Sequence, residues 1–182
     1  LARENGIKVL LSGAGGDDIF TGYRRHYALE LEKYWNWLPS NIRASIENST
    51  RFLNTNKSFQ RRLSKLFSAA SLNNDERLIN YFRWTSDENL QSLYSESVKD
   101  QLINTETNLP MTEFISKLSS EVSRLDQMLA LEQRFFLADH NLNYTDKMSM
   151  SAGIEVRVPF LDKDLIEFST NIPNKLKQRG GE

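Results

Sequence analysis

The sequence lacks cysteine altogether. A disulfide framework, a thiolate metal site and a cysteine nucleophile are therefore excluded within its 182 residues. The chain also lacks any apolar run close to the roughly 20 residues that span a bilayer, and its first residues lack the charged and then apolar pattern of a signal peptide. We expect a cytoplasmic protein that does not bind a membrane.

Neither sign of charge is in excess, because 23 basic residues nearly balance 24 acidic ones. Without a domain-wide positive field, nucleic acid is not an expected partner, and any ligand must be recognised locally. Proline and glycine are scarce, at 4 and 8 residues, and no repeat or Gly/Ser linker divides the chain. With 39% hydrophobic residues, the whole chain 1–182 is predicted to form one domain.

Most of the chain has a helical pattern, with apolar residues three and four positions apart. A helical segment from Tyr23 to about Ser49 is predicted to break at Pro39. The polar stretch Ala138–Ser151 is predicted to be irregular, which in a packed domain suggests a functional role. Asp162 is a predicted N-cap for a helix over Lys163–Asn171. Further helices are predicted at 58–68, 75–84, 87–93, 95–102 and 112–136.

The first 18 residues have a different pattern. Gly6 is predicted to end a helical turn, and the apolar run Ile7–Leu11 then predicts a strand buried in a parallel sheet. The loop that follows reads Ser-Gly-Ala-Gly-Gly over Ser12–Gly16. Asp17 and Asp18 are predicted to begin the next helix.

A glycine loop between a strand and a helix allows the backbone to approach a ligand closely, and the helix N-terminus favours an anion. Asp17 and Asp18 would repel a bare phosphate unless a divalent cation such as Mg²⁺ lay between them. The same residues are explained equally well by a tight turn followed by two acidic residues that cap a helix. The loop matches neither the Rossmann fingerprint nor the Walker A motif.

A second motif, over Asp146–Asp162, reads DKMSMSAGIEVRVPFLD. Together with VLLSGAGGDDIFTGY over Val9–Tyr23, it resembles the glutamine-hydrolysing asparagine synthetases. The resemblance covers nearly the whole chain. It implies the C-terminal part of an α/β adenine-nucleotide alpha-hydrolase-like domain, also called an ATP-pyrophosphatase domain. Such a fragment would be mainly α, with one or two residual strands.

The resemblance also implies a reaction. ATP activates the side-chain carboxylate of aspartate as an adenylate, and ammonia from a glutaminase domain of the same parent chain then gives asparagine, AMP and pyrophosphate. Ser12 and Gly13 match nucleotide-binding positions, Asp17 matches a magnesium ligand, and Lys147 matches a catalytic lysine near the reacting phosphates. By position alone, Lys147 would be one more solvated lysine.

The remaining charged residues and the histidines are either predicted to have a structural role or left unassigned. Glu155 and Arg157 are predicted to tie extended backbone to neighbouring helices. His26 and His140 lack metal-ligand spacing and stay unassigned. Solvated surface positions are predicted for Arg24, Arg25, Arg61 and Arg62.

Two features depart from the family. The pyrophosphate loop Ser-Gly-Gly-x-Asp-Ser and the N-terminal cysteine of the glutaminase domain are absent, so the chain is interpreted as an excised, inactive segment that could self-associate as a homodimer through the exposed strand Ile7–Leu11. Ala14 stands where most members carry a carboxylate. Three explanations of Ala14 are open: another residue supplies the base, the parent amidates another carboxylate, for example a sugar acid in polysaccharide synthesis, or the parent is a degenerate paralogue. For the chain as a whole, the non-enzymatic alternative is a non-catalytic helical interaction module.

Overall fold

The computed structural model describes residues 1–54, 56–103 and 105–179. The chain folds into two compact units, of which the first contains Leu1–Glu30 and the C-terminal part from Ser120 onward. The second unit contains Leu31–Ser119. Both units are predominantly helical, so the prediction of a mainly α chain is confirmed.

The N-terminal part of the chain forms a 3₁₀ turn at Arg3–Asn5, strand β1 (Val9–Leu11), and helices α1 (Gly16–Phe20) and α2 (Arg24–Leu31). The middle part begins with a 3₁₀ turn at Glu32–Tyr34 and continues as α3 (Ser40–Arg51), α4 (Ser58–Phe67), α5 (Asn74–Asn80), α6 (Asp87–Ser92), α7 (Glu96–Leu102) and α8 (Leu109–Ser116). The C-terminal part forms α9 (Arg124–Leu131), a π-helix at Glu132–Leu142, α10 (Asn143–Ser151), strand β2 (Glu155–Arg157), a 3₁₀ turn at Pro159–Leu161, α11 (Lys163–Thr170) and α12 (Asn174–Lys177).

The two strands pair in parallel although they lie far apart in sequence. Val9 is the register partner of Glu155, and Leu11 is the partner of Arg157. The predicted strand and its parallel pairing are therefore confirmed. Its predicted burial is wrong, because β1 has only β2 beside it within the described residues and Leu11 is 74% exposed.

The C-terminal helices correct two predictions. The helix predicted at 112–136 is interrupted, since α8 ends at Ser116 and α9 begins only at Arg124. Ser123 caps α9 by accepting a hydrogen bond from the N–H of Asp126, which explains why the helix restarts there. The stretch 138–151 is helical instead of irregular, because its backbone continues from α9 through the π-helix into α10 without a break.

Each unit has its own apolar core. The first unit buries residues of α1, α9 and the π-helix together with the residue before β2, namely Ile19, Met128, Leu129, Leu131, Leu137 and Ile154. The second unit buries Trp35, Ala69, Ala70, Leu78, Ile79 and Ile115. Within the described residues, no helix is both long enough and apolar enough to cross a membrane.

The core of the first unit also contains a carboxylate. Glu132 at the start of the π-helix is fully buried. Both of its oxygens accept hydrogen bonds from the guanidinium of Arg25 on α2, and His26 Nε2 lies 3.1 Å from Glu132 Oε1. The Arg25 guanidinium also stacks on the rings of Tyr23 and Phe136, at 4.2 and 4.5 Å from their centroids. This cluster fastens α2 to the π-helix.

The burial of this ion pair predicts a large loss of stability on substitution. Glu132→Gln should lower the free energy of unfolding by about 3 kcal/mol or more, because it leaves the half-buried Arg25 cation without its countercharge. The matched control is Glu155→Gln, which neutralises a carboxylate paired with Arg157 in solvent and should leave stability within experimental error. Urea unfolding followed by circular dichroism gives both values, and equal effects would contradict this prediction.

Candidate functional site

The strand pair brings together the two motifs that the sequence separates. The N–H of Ser12, directly after β1, donates to the carbonyl of Arg157 at 2.9 Å. A Cβ added at Gly15 would come within 2.6 Å of Leu161 Cδ2, and one at Gly16 would meet the ring of Phe160 at 3.8 Å. The glycine loop Ser12–Gly16 therefore packs on the segment that follows β2.

The loop is ordered by its own hydrogen bonds. The Ser12 hydroxyl accepts from the N–H of Ala14 at 3.1 Å, and the N–H of Gly16 donates to the carbonyl of Gly13 at 3.3 Å. Gly15, the N-cap of α1, has a φ of 90°, which is strained for any residue with a side chain. Left-handed backbone and contact with Leu161 together explain the glycine at position 15.

Asp17 presents an exposed carboxylate at the start of α1. Its Oδ1 atom occupies the space that a Cβ of residue 22 would fill, so a side chain at Gly22 would collide with it. The turn beneath the carboxylate is strained, because Thr21 has a φ of 70°, and the Thr21 hydroxyl holds it by donating to the carbonyl of Lys177 at 2.5 Å. A turn of defined geometry therefore supports the exposed Asp17 carboxylate.

Mg²⁺ fits the donor atoms of this site only if substrate phosphates bind the ion as well. Among residues 1–54, 56–103 and 105–179, no three acidic or histidine side chains cluster as an all-protein cage would require. Mg²⁺ is commonly bound through one or two carboxylates plus waters and substrate phosphates. One exposed carboxylate at Asp17 suits that mode, with the glycine backbone of the loop beside it.

The neighbouring carboxyl group of Asp18 points inward. Its Oδ2 accepts from the hydroxyl of Tyr23 at 3.2 Å, while Oδ1 is buried without a partner in the described structure. Burial, and then the charge of Glu132, raise the pKa of Asp18, although the Tyr23 hydrogen bond and Arg25 oppose the shift. Burial and the nearby Asp18 raise the pKa of Tyr23 to about 12. Asp18 therefore lies in the core, whereas Asp17 faces solvent.

No sequence pattern indicated the cluster of Arg25, His26 and Glu132 behind the loop. Arg25, predicted to be solvated, is bound to Glu132, so that prediction is wrong. His26, left unassigned, is fully buried and contacts the same carboxylate. Glu132 itself had no signal beyond an acidic residue among apolar neighbours in Leu131–Leu137. The other arginines predicted to be exposed are confirmed so: Arg24, Arg61 and Arg62.

Lys147 lies on α10, which packs against β2. Its side chain is exposed and, within the described part of the chain, has neither a hydrogen bond nor an ion pair. The lysine is thus free to meet a ligand, and its catalytic role stays a prediction. The nucleotide-binding roles of Ser12 and Gly13 and the metal role of Asp17 also stay predictions.

In the second motif, one structural prediction is confirmed and another is wrong. Asp162 caps α11, since its Oδ1 accepts from the N–H groups of Asp164 and Leu165. Within the described residues, Glu155 and Arg157 do not tie the backbone to neighbouring helices. They pair with each other at 2.8 Å on the exposed side of β2, because alternate residues of a strand point to the same face.

A small cavity in the second unit does not offer a substrate site. It is lined by Glu32, Arg77 and Tyr81 among others and holds about 10 Å³, enough for about one water molecule. Its charges already satisfy one another, because Arg77 and the Tyr81 hydroxyl both donate to the Glu32 carboxylate. The glycine loop is therefore the better candidate site.

A parallel strand that leads through a glycine loop into a helix is an arrangement found in many α/β proteins. The sequence profile of the asparagine synthase family matches residues 1–182. The chain belongs to the asparagine synthase family.

Two relatives from Bacillus subtilis show the extent of the similarity. Asparagine synthetase [glutamine-hydrolyzing] 1 is 27% identical over 179 residues, which cover 96% of this chain and 26% of that protein. Asparagine synthetase [glutamine-hydrolyzing] 3 is 26% identical over 170 residues, covering 93% and 21%. The chain therefore spans about a quarter of the length of these relatives. No solved structure matches it significantly.

A substitution at Gly15 tests the backbone geometry of the loop. Gly15→Ala should lower the free energy of unfolding by about 2 kcal/mol, since it adds left-handed strain and a clash with Leu161. Gly13→Ala is the matched control, because nothing lies within 4 Å of its added Cβ. Urea unfolding should show little change for Gly13→Ala, and a Gly15→Ala protein as stable as wild type would contradict the loop geometry.

Asp18 gives a prediction about pH. Because its pKa is raised in the fold, ionised Asp18 destabilises the protein at neutral pH, and this effect fades as the pH falls through the raised pKa. Asp18→Asn, which keeps an acceptor for Tyr23, should be more stable than wild type by on the order of 1 kcal/mol at about pH 7.5, with little advantage near pH 4.

Thermal melts across this pH range test the sign for Asp18. The control is Asp139→Asn at an exposed position, which should show no such trend. An advantage of Asp18→Asn that grew on acidification would contradict the raised pKa.

Proposed function

We propose that the chain is the C-terminal part of the ATP-dependent synthetase domain of a glutamine-hydrolysing asparagine synthetase. The supporting observation is the contact between the loop Ser12–Gly16 and the segment Pro159–Leu161, mediated by the β1–β2 pair. These are the two motifs that resemble the family, and they lie more than a hundred residues apart in sequence. A shared site explains why both motifs are present.

In this proposal the loop holds the nucleotide. The backbone of Ser12 and Gly13 lies at the carboxyl end of β1, where nothing fills the space above Gly13 within 4 Å. Phosphate oxygens can therefore approach the backbone closely, as glycine loops allow. Asp17 is proposed to share a Mg²⁺ ion with the phosphates, and that ion would supply neutralising charge when bound.

The proposed reaction has two steps. A carboxylate oxygen of aspartate attacks the α-phosphorus of ATP and pyrophosphate leaves, giving the acyl adenylate. Ammonia from the glutaminase domain of the parent chain then attacks the activated carbonyl, and AMP leaves with the C–O bond electrons. The ammonium of Lys147 is proposed to stabilise the negative charge that accumulates on the phosphates.

Ala14 favours a second candidate function. It places no titratable side chain in the loop, and its N–H is already bound to the Ser12 hydroxyl. An enzyme that relied on a carboxylate at this position to assist amination would lack it here. The alternative is amidation of a different carboxylate, such as a sugar acid, which assays of the full-length protein with both acceptors would distinguish.

Ligand protection of the full-length protein tests the nucleotide site. ATP with Mg²⁺ should raise the melting temperature, by an amount equivalent to about 2.7 kcal/mol at a hundredfold excess over Kd. Asp17→Ala should abolish the magnesium-dependent part, and Lys147→Ala should weaken protection. Lys117→Ala, at another exposed lysine, is the control and should behave as wild type.

The non-catalytic helical module is the outcome to be excluded. Unchanged melting with ATP and Mg²⁺ in the full-length protein would favour that module. Protection that persisted in Asp17→Ala would instead retain nucleotide binding and remove the proposed metal role of Asp17.

A further inference from the structure

The Asp17 carboxylate packs against Gly22, whose backbone N–H is itself hydrogen-bonded. Gly22 leaves space for the carboxylate only because it has no Cβ. The N–H of Gly22 donates to Nδ1 of His26 at 3.2 Å. The surface on which the Asp17 carboxylate rests is therefore fixed by a side chain in the core, because His26 is fully buried.

The partners of His26 define its tautomer. Nδ1 accepts the N–H of Gly22, so Nδ1 carries no proton. Nε2 faces Glu132 Oε1 at 3.1 Å, and a carboxylate can only accept, so Nε2 is the protonated nitrogen. The imidazole is neutral and is oriented by its two contacts, one to the loop and one to the core.

Glu132 is held firmly enough to set this orientation. Its two oxygens are both bound by the Arg25 guanidinium, which is itself packed against the rings of Tyr23 and Phe136. A bidentate guanidinium pair restricts the carboxylate in plane and distance. Glu132 therefore offers Oε1 to His26 from a fixed position.

We propose that His26 is a positioning residue for Asp17, that it acts through Gly22, and that Glu132 fixes its tautomer. This inference depends on the proposed function, in which Asp17 binds a divalent cation shared with phosphate. His26 cannot touch that cation, because it has no exposed surface. The arrangement resembles the outer-shell contacts that orient metal ligands, whose loss commonly weakens metal affinity 10- to 100-fold.

Two substitutions separate the loop contact from the core contact. Asparagine at position 26 can place an amide oxygen where Nδ1 stands and so still accept from Gly22. Glutamine reaches one atom further, to the position of Nε2, and can donate to Glu132 while leaving the Gly22 N–H without its acceptor. The proposal predicts that His26→Gln weakens the Asp17-dependent binding of a divalent cation about tenfold or more, and that His26→Asn weakens it less.

Mn²⁺ together with ATP is the probe, titrated into the full-length protein and followed by water-proton relaxation, because the cation at Asp17 is shared with phosphates. The Asp17-dependent binding is the part that Asp17→Asn removes. Leu137→Ala is the stability control, because Leu137 is a buried apolar residue of the π-helix and makes no polar contact with the loop. Melting temperatures are measured for every variant, so that a loss of affinity can be compared at similar stability.

The outcomes distinguish this inference from the function on which it rests. A tenfold loss in His26→Gln, with a smaller loss in His26→Asn and none in Leu137→Ala, would support the positioning role. Normal Mn²⁺ affinity in His26→Gln, or equal losses in all three variants, would overturn it while leaving Asp17 as a ligand. If Asp17→Asn bound Mn²⁺ as wild type does, the metal role of Asp17 and this inference would both be wrong.

Discussion

The carboxylate of Glu132 is fully buried, and its charge has to be balanced by Arg25, which lies 107 positions earlier in the sequence. His26, 106 positions earlier, donates a further hydrogen bond to it. A lone charge in a protein interior is strongly unfavourable, so the first unit is stable only when α2 lies against the π-helix. That requirement joins the two distant parts of the chain from which the unit is built. The β1–β2 pair joins them a second time.

The cluster of Arg25, His26 and Glu132 is connected to the protein surface by one contact at each step. His26 connects Glu132 to the backbone of Gly22, and Gly22 supports the carboxylate of Asp17. Asp18, one residue further along α1, turns into the core beside the cluster and is disfavoured as an anion there. Adjacent acidic residues thus have opposite environments, because successive residues of a helix face different directions.

The candidate site was predictable where the chemistry is local. The glycine loop after a strand, the acidic start of α1 and the Asp162 cap all depend on neighbours within a few residues, and the structure has each of them. Arg25 was misjudged because its partner is remote, and no sequence pattern tells a buried arginine from a solvated one. The stretch 138–151 was misjudged because polar residues also form helices when one face packs on a neighbour, as α10 does on β2.

By itself, the sequence determined the helical character of the chain, the strand at Val9–Leu11, the loop that follows it and the membership of a family, since these depend on periodicity, backbone preference and motif. Only the tertiary structure decided that Ser12 meets Arg157, that Glu132 binds Arg25 and His26, and that Asp17 rests on Gly22. These contacts are set by packing between segments more than a hundred residues apart or by a turn whose strain is held from elsewhere. Their energies depend on burial, which a local pattern of residues does not encode.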